Sequence, residues 1–266
     1  MSLEDIVRLA LEEDIGSGDV TTNLCIPEDA RAVGRFIARE PMVVAGVELL
    51  QFLFNNPEIK KPRGARVNAG EEIACVRGLA RRLLSRERVA LNFLQRLSGV
   101  ATMARKYVDA VAGTKCRILD TRKTTPGLRS LEKMAALAGG AVNHRRGLYD
   151  AVLIKNNHIT MAGGVRAALE CVKGTELPVE IEVRTRAELE EALECNACRL
   201  LLDNLTPAEA KEWIDHINGR AEVELSGGIT LDTVRSHAET GADYVSCGAI
   251  THSARAVDIN FRILPE

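Results

Sequence analysis

The sequence is poor in aromatic residues: only 3% of its 266 positions are Phe, Trp or Tyr, so Leu, Val, Ile and Ala must fill any core. It also lacks a long apolar run. Nothing approaches the roughly 18 consecutive apolar residues needed to span a bilayer, and Met1 to Asp14 reads as an acidic amphipathic helix, not an export signal. A strong charge of either sign is missing too. With a formal net charge of -2 the chain has no global field to gather nucleic acid or an anionic membrane, so any anion must be held by local clusters of cations. The seven cysteines are odd in number and scattered, which excludes a disulfide framework. Cys195 and Cys198 have CxxC spacing, but a zinc ribbon needs a second such pair and a redox motif opens a helix after a strand. This pair falls at the end of an expected helix and reads as small buried apolar residues. Together these absences describe a reduced, cytoplasmic globular protein, and 46% hydrophobic residues are enough to bury its core.

The chain changes character near residue 100. Ala32 to Arg77 carries short β-rich runs punctuated by Gly and Pro, which predict a small antiparallel sheet. Helices are expected on either side of it, Leu3 to Glu13 before and Ser85 to Leu97 after, with Ser85 as N-cap of the second. A further helical segment follows Gly99. Strand and helix patterns then alternate. The expected strands are 116–120, 151–155, 179–183, 200–204, 223–227 and 244–248, near-continuously apolar, with helices of suitable length between them. That pattern belongs to a parallel sheet buried on both faces. The expected fold is α/β, a parallel barrel that is irregular and incomplete with six or seven strands, and a doubly wound open sheet is the structural alternative. The expected division is an N-terminal domain over 1–100, a barrel over 101–254 and a C-terminal segment, 255–266, that returns to the first domain.

A parallel barrel presents its strand C-termini on one face, and polar residues recur there. Asp120 with Thr121, Arg122 and Lys123 ends the first strand. Lys155 with Asn156, Asn157 and His158 ends the second. Glu182 lies in the third, Asp203 and Asn204 end the fourth, Ser226, Gly227 and Gly228 follow the fifth, and Ser246, Cys247 and Gly248 end the sixth. Charges at successive strand ends need partners or a ligand to offset desolvation. In SGGI, Gly227 and Gly228 let backbone N–H groups approach a phosphate, with a helix expected from Thr230 directing its positive end at the anion. Gly248 offers a further N–H group. Glu182 and Asp203 suit Mg²⁺ or sugar hydroxyls, with paired acid and base work as the competing role. Arg122, Lys123, Arg129, His144, Arg145 and Arg146 form a cationic set whose guanidinium forks match the carboxylates of a flat dianion. His216, His237 and His252 read as surface or satisfied core residues.

These motifs resemble the quinolinate phosphoribosyltransferase family, also called carboxylating nicotinate-nucleotide pyrophosphorylases. The resemblance runs almost end to end, through EEDIGSGDVTT (12–22), RERVALNFLQRLSGVAT (86–102), DTRKTTPGLR (120–129), GGAVNHRRGLYD (139–150), IKNNHI (154–159), EIEV (180–183), LLLDN (200–204) and SGGIT (226–230). It implies an N-terminal open α/β sandwich joined to the barrel. It also implies a reaction of quinolinate with phosphoribosyl pyrophosphate and Mg²⁺ that yields nicotinate mononucleotide, pyrophosphate and CO₂. Carried over by motif position, Arg122, His144, Arg145 and Lys155 hold quinolinate. Lys123, Asn157 and His158 face pyrophosphate, Glu182 and Asp203 meet the ribose and the metal, and Ser226, Gly227, Gly228 and Gly248 take the 5-phosphate. Lys123, Lys155, Glu182 and Asp203 are the expected catalytic set. The implied assembly is a homodimer in which Arg88 enters the partner's site, with assembly into hexamers left open. Asn156 and Arg184 stand where acidic residues are usual in this family and shift the local charge towards positive. Three alternatives differ in chemistry: a related phosphoribosyltransferase for another ring acid, a Schiff-base phosphosugar aldolase using Lys155, and a phosphosugar sensor without turnover.

Overall fold

A computed structural model describes Ser2 to Glu266 and divides the chain into two compact units. The first comprises residues 1–105, 124–140 and 250–266; the second comprises 106–123 and 141–249.

In the first unit, β1 (Arg31–Ala38), β2 (Met42–Val43), β3 (Glu58–Ile59), β4 (Arg66–Val67) and β5 (Glu72–Leu79) are antiparallel. The C-terminal strand, Ile259–Pro265, pairs with β1 on the side away from β5, so the sheet runs C-terminal strand, β1, β5, β3. All five phenylalanines lie in this unit. Phe36 on β1 is fully buried and meets Phe261 with ring centroids 4.8 Å apart and Phe54 at 6.0 Å.

A single helix, Ala80–Ala110, leaves β5 directly. The sequence suggested a start at Ser85 and a break at Gly99, and both expectations are corrected. Ser85 lies inside the helix, where its hydroxyl turns back to the Arg82 carbonyl, because Ala80 to Leu84 are already good helix formers. Gly99 does not break the helix. It lets the C-terminal segment approach: a Cβ at this position would lie 2.1 Å from the Arg255 carbonyl oxygen. The neighbouring turns of the same helix hold that segment, with Arg96 donating to the carbonyls of Thr251 and Ala254 and Gln95 exchanging bonds with Val257 and Ile259.

The second unit contains β6 (Arg117–Leu119), β7 (Val152–Ile154), β8 (Val179–Val183), β9 (Arg199–Asp203), β10 (Glu222–Ser226) and β11 (Tyr244–Ser246). All six expected strands are present, trimmed or shifted by a residue or two at their ends. They form one parallel sheet in the order β6, β11, β10, β9, β8, β7. A doubly wound sheet reverses its winding at a switch point. This one does not: β7 to β11 follow each other in sequence, and β6 closes on β11, which is the cyclic order of a barrel. The circle stays open between β6 and β7. Segment 141–151 enters that gap, with Val142 bonded to β6 through Ile118 and Asp120.

The expected small buried role of the CxxC residues is corrected as well: Cys195 is half-buried at a helix C-cap and Cys198 is exposed. No helix among the described residues is long and apolar enough to cross a membrane. Replacing Gly99 by Ala is expected to destabilise the protein by roughly 1–3 kcal/mol through overpacking, although alanine is favoured in helices by up to about 1 kcal/mol. A G99A protein that melts above the parent contradicts this close approach.

Candidate active site

Side chains alternate across a strand, so the inward face of β8 carries both Glu180 and Glu182, that of β9 Arg199 and Asp203, and that of β10 Glu224 and Ser226. This alternation sorts the polar residues into two levels, one at the strand ends and one deeper in the sheet.

At the strand ends, Glu182 is buried and both its oxygens are taken. Oε2 lies 2.9 Å from Lys155 Nζ, and Oε1 accepts from Arg184 at 3.1 Å. A buried carboxylate needs such compensation. Lys155 itself is half exposed. The turn that carries it is held by His158, whose Nδ1 accepts the Lys155 amide at 2.9 Å. On β9, Asp203 Oδ2 accepts from Asn204 Nδ2 at 2.7 Å. Asn204 adopts a left-handed backbone and also donates its amide to Ser226, which joins the ends of β9 and β10.

The SGG turn adjoins Asn204. Gly227, at φ 101°, has no room for a side chain: a Cβ would lie 2.3 Å from Asn204 Oδ1. Gly228, at φ 58°, meets nothing within 4 Å and faces open space. The helix expected from Thr230 begins later, at Val234, and spans only Val234–Ala238. Thr233 accepts the Thr230 amide and forms a turn first. Amides of the glycine turn, not a helix dipole, are therefore what this end of β10 offers an anion.

Arg122 and Arg145 influence one another. Burial, followed by the positive charge of Arg122, pushes Arg145 down from the usual arginine range. Partial burial and a like charge nearby both disfavour the Arg145 guanidinium, and an anion would offset both. Lys123 and Asn157 are exposed at neighbouring strand ends. Gly248 precedes the short helix Ala249–His252. Arg88 lies in the other unit, exposed on the long helix, with no ion-pair partner among the described residues.

At the deeper level lies a cluster that the sequence reading did not assign. His144 Nε2 is 3.1 Å from Glu180 and 3.4 Å from Glu224. Arg199 bridges the same two carboxylates, 3.1 Å to Glu180 and 2.8 Å to Glu224, and lies 4.3 Å from the centre of the Tyr244 ring. The three His and Glu donor atoms lie within 4.8 Å of one another, a spacing that suits a metal ion. The guanidinium already occupies them, so the set is an ion-pair network.

Two influences oppose each other at His144. Burial disfavours the imidazolium, the bonds to Glu180 and Glu224 outweigh it, and together they carry His144 up to about 9. However, Nδ1 accepts the Arg145 amide at 2.7 Å and must be bare to do so. The contact decides the form present here: a neutral ring with its proton on Nε2. Around it, burial pushes Glu180 up. Glu224, which burial would also raise, is drawn down to about 2 by the bonds it accepts from His144 and Ser246 and by the charge of Arg199.

A cavity of about 330 Å³ lies at the strand starts, lined by Arg117, Pro178, Arg199 and Tyr244 among others. His144, Arg145 and Arg146 also line it, whereas Lys155, Asp203 and Gly228, at the other ends of the strands, do not.

Comparison with known proteins decides the family. Residues 19–98 match the description "Quinolinate phosphoribosyl transferase, N-terminal domain", and residues 100–262 match its C-terminal domain. The chain belongs to the quinolinate phosphoribosyl transferase family. It is 43% identical to the chloroplastic carboxylating nicotinate-nucleotide pyrophosphorylase of Oryza sativa, over 98% of this chain and 77% of that one. The Mycobacterium leprae enzyme of the same name is 40% identical, over 96% and 95%. The crystal structure of the Ehrlichia chaffeensis nicotinate-nucleotide pyrophosphorylase superposes with a TM-score of 0.94 at 38% identity, covering 99% of both chains.

In this family member the interior cluster had a signal in the sequence. If Glu182 faces the barrel interior, Glu180 two residues earlier faces it too, and the same parity joins Arg199 to Asp203 and Glu224 to Ser226. At pH 7, ¹⁵N spectra of the His144 ring should show a protonated Nε2 and a bare Nδ1. A ring protonated on both nitrogens shows instead that the carboxylates prevail over the Arg145 contact.

Proposed function

We propose that this chain transfers the phosphoribosyl group of phosphoribosyl pyrophosphate to the ring nitrogen of quinolinate, pyridine-2,3-dicarboxylate. The products are nicotinate mononucleotide, pyrophosphate and CO₂, in a step of NAD biosynthesis. One observation supports this reading: the C-terminal ends of one parallel sheet carry Arg122, Lys123 and Lys155 together with a glycine turn open to a phosphate.

In this scheme Arg122, Arg145 and Lys155 grip the two carboxylates. Gly227 and Gly228, with Ser226 and Gly248, receive the 5-phosphate. The ring nitrogen then faces the ribose carbon while Lys123, Asn157 and His158 face the pyrophosphate. Orientation alone removes much of the barrier when reacting atoms are held in a near-attack position. The nitrogen attacks C1 of the ribose, and the C1–O bond breaks with its electron pair leaving on pyrophosphate. Asp203 and Glu182 favour the positive charge that develops at that carbon. The ring nitrogen is then quaternary. It accepts the electron density left at C2 when the bond to the 2-carboxylate breaks, and a proton from water completes nicotinate mononucleotide and CO₂.

Mg²⁺ is the metal this family's chemistry implies. The donor set fits it in part. Asp203 has an oxygen beyond its bond to Asn204, whereas Glu182 has both oxygens in ion pairs. Magnesium is commonly held by one or two carboxylates together with substrate phosphates and water. Asp203 is thus the direct ligand proposed here, with Glu182 acting through water. The ion would neutralise charge on the departing pyrophosphate. Arg88, exposed and without a partner among the described residues, is proposed to enter the site of a second copy in a homodimer. The dispersed free cysteines favour the cytoplasm as its compartment.

A one-carboxylate ring acid is the second reading, but the number of cations, Arg122, Lys123 and Lys155 after the strands and Arg145 on the adjoining segment, favours a diacid. Mass spectrometry should find nicotinate mononucleotide formed from quinolinate and not from nicotinate, and Arg122→Ala should lower kcat/KM for quinolinate on the order of a hundredfold. Product from nicotinate alone, or near-normal kinetics in that variant, rejects the assignment. Mixed dimers of Arg88→Ala and Lys155→Ala should recover activity that neither variant shows alone. Verified mixed dimers that stay inactive exclude a shared site.

A further inference from the structure

Glu180 and Glu224 are buried carboxylates that the proposed reaction does not use. Their presence needs a reason, because a buried ion-pair network seldom stabilises a fold more than well-packed apolar residues of the same volume. The arrangement suggests what they hold. Two carboxylates and the single guanidinium of Arg199 leave one negative charge over, and His144 Nε2 sits against both carboxylates. Its other nitrogen accepts the Arg145 amide. Both polar atoms of the ring are therefore engaged, and neither is left to meet a substrate.

The backbone around Arg145 is tied on both sides. Asp120 accepts the His144 amide at 2.9 Å and the Asn143 side chain at 2.6 Å. Asp150 accepts the amides of Arg146 and Gly147 at 2.7 and 3.0 Å. The Arg145 guanidinium, by contrast, makes a long 3.4 Å contact with the Ala151 carbonyl and is disfavoured by burial and by the charge of Arg122. This is a backbone fixed on both flanks that carries a weakly committed cation, which lines the same cavity as Arg199.

We propose that Glu180, Arg199 and Glu224 are positioning residues which, through His144, hold Arg145 where it meets a carboxylate of the diacid. The proposal rests on the reading of Arg145 as a diacid ligand. His144 serves binding through its neighbour and makes no hydrogen bond of its own to the substrate.

Steady-state kinetics in both substrates tests this. Glu224→Gln keeps the shape of the network and removes one of its charges. It should raise the quinolinate KM about tenfold or more, since small misplacements remote from the chemistry can cost on the order of a hundredfold. The KM for phosphoribosyl pyrophosphate should change less than about twofold, well within that contrast. If Glu224→Gln does not fold, Arg199→Lys, which retains the charge but not the two-carboxylate fork, should raise the quinolinate KM alone. Arg145→Lys separates the two layers of the argument. If it alters the quinolinate KM, Glu224→Gln should add little on that background, because both act through one contact. Full multiplicative effects, or a Glu224→Gln protein with unchanged quinolinate KM, overturn the positioning role while leaving Arg145 as a ligand. An Arg145→Lys protein with normal quinolinate KM overturns the ligand reading and the positioning role together.

Discussion

Inside a parallel sheet covered on both faces, an ionised side chain persists only where an opposite charge or a set of donors stands within hydrogen-bond reach. That constraint organises the second unit. Glu182 is held between Lys155 and Arg184, Glu180 and Glu224 between Arg199 and His144, and Asp120 accepts the Asn143 side chain and the His144 amide. Apart from Arg184, which follows the strand of Glu182 itself, each partner lies on or at the end of a neighbouring strand or on the segment that fills the gap between β6 and β7. The charges therefore position one another, and the strand ends inherit that order.

The gap is the second consequence. A fully closed barrel would seal β6 against β7 with backbone bonds. Here only Val142 pairs with β6, and the chain from Asn143 to Asp150 is tied instead by side chains. Side-chain ties leave room for three basic residues in a row, His144 to Arg146, beside the cavity at the strand starts. A continuous strand would have directed alternate residues of that run away from the interior. The irregularity of the barrel thus allows three successive basic residues to line one cavity.

Arg184 shapes the strand ends directly. Standing just past β8, it takes one oxygen of Glu182 while Lys155 takes the other. The carboxylate is neutralised by the protein's own cations on both sides, and Asp203 is left as the less encumbered acid at the strand ends. The glycine turn completes this face. Gly227 packs too closely on Asn204 for any side chain, and Gly228 opens outward.

Much of this was legible in the sequence. Six near-continuous apolar strands with helices between them specify a parallel sheet, because only burial on both faces removes the polar half of the period-2 pattern. The recurrence of charge at successive strand ends located the candidate site, and the motifs from Asp120 to Arg129 and from Asn143 to Leu148 pointed to the family. Helix limits near Ser85, Gly99 and Thr230 were not legible, since a glycine that permits close packing and one that ends a helix look alike in one dimension. Nor was the engagement of His144 with Glu180 and Glu224, whose residues stand 36 and 80 positions apart along the chain. Local composition and periodicity determine which elements form and which residues share a face. Which charges meet across the sheet depends on strand order and register, and these are set only when the whole chain has closed on itself.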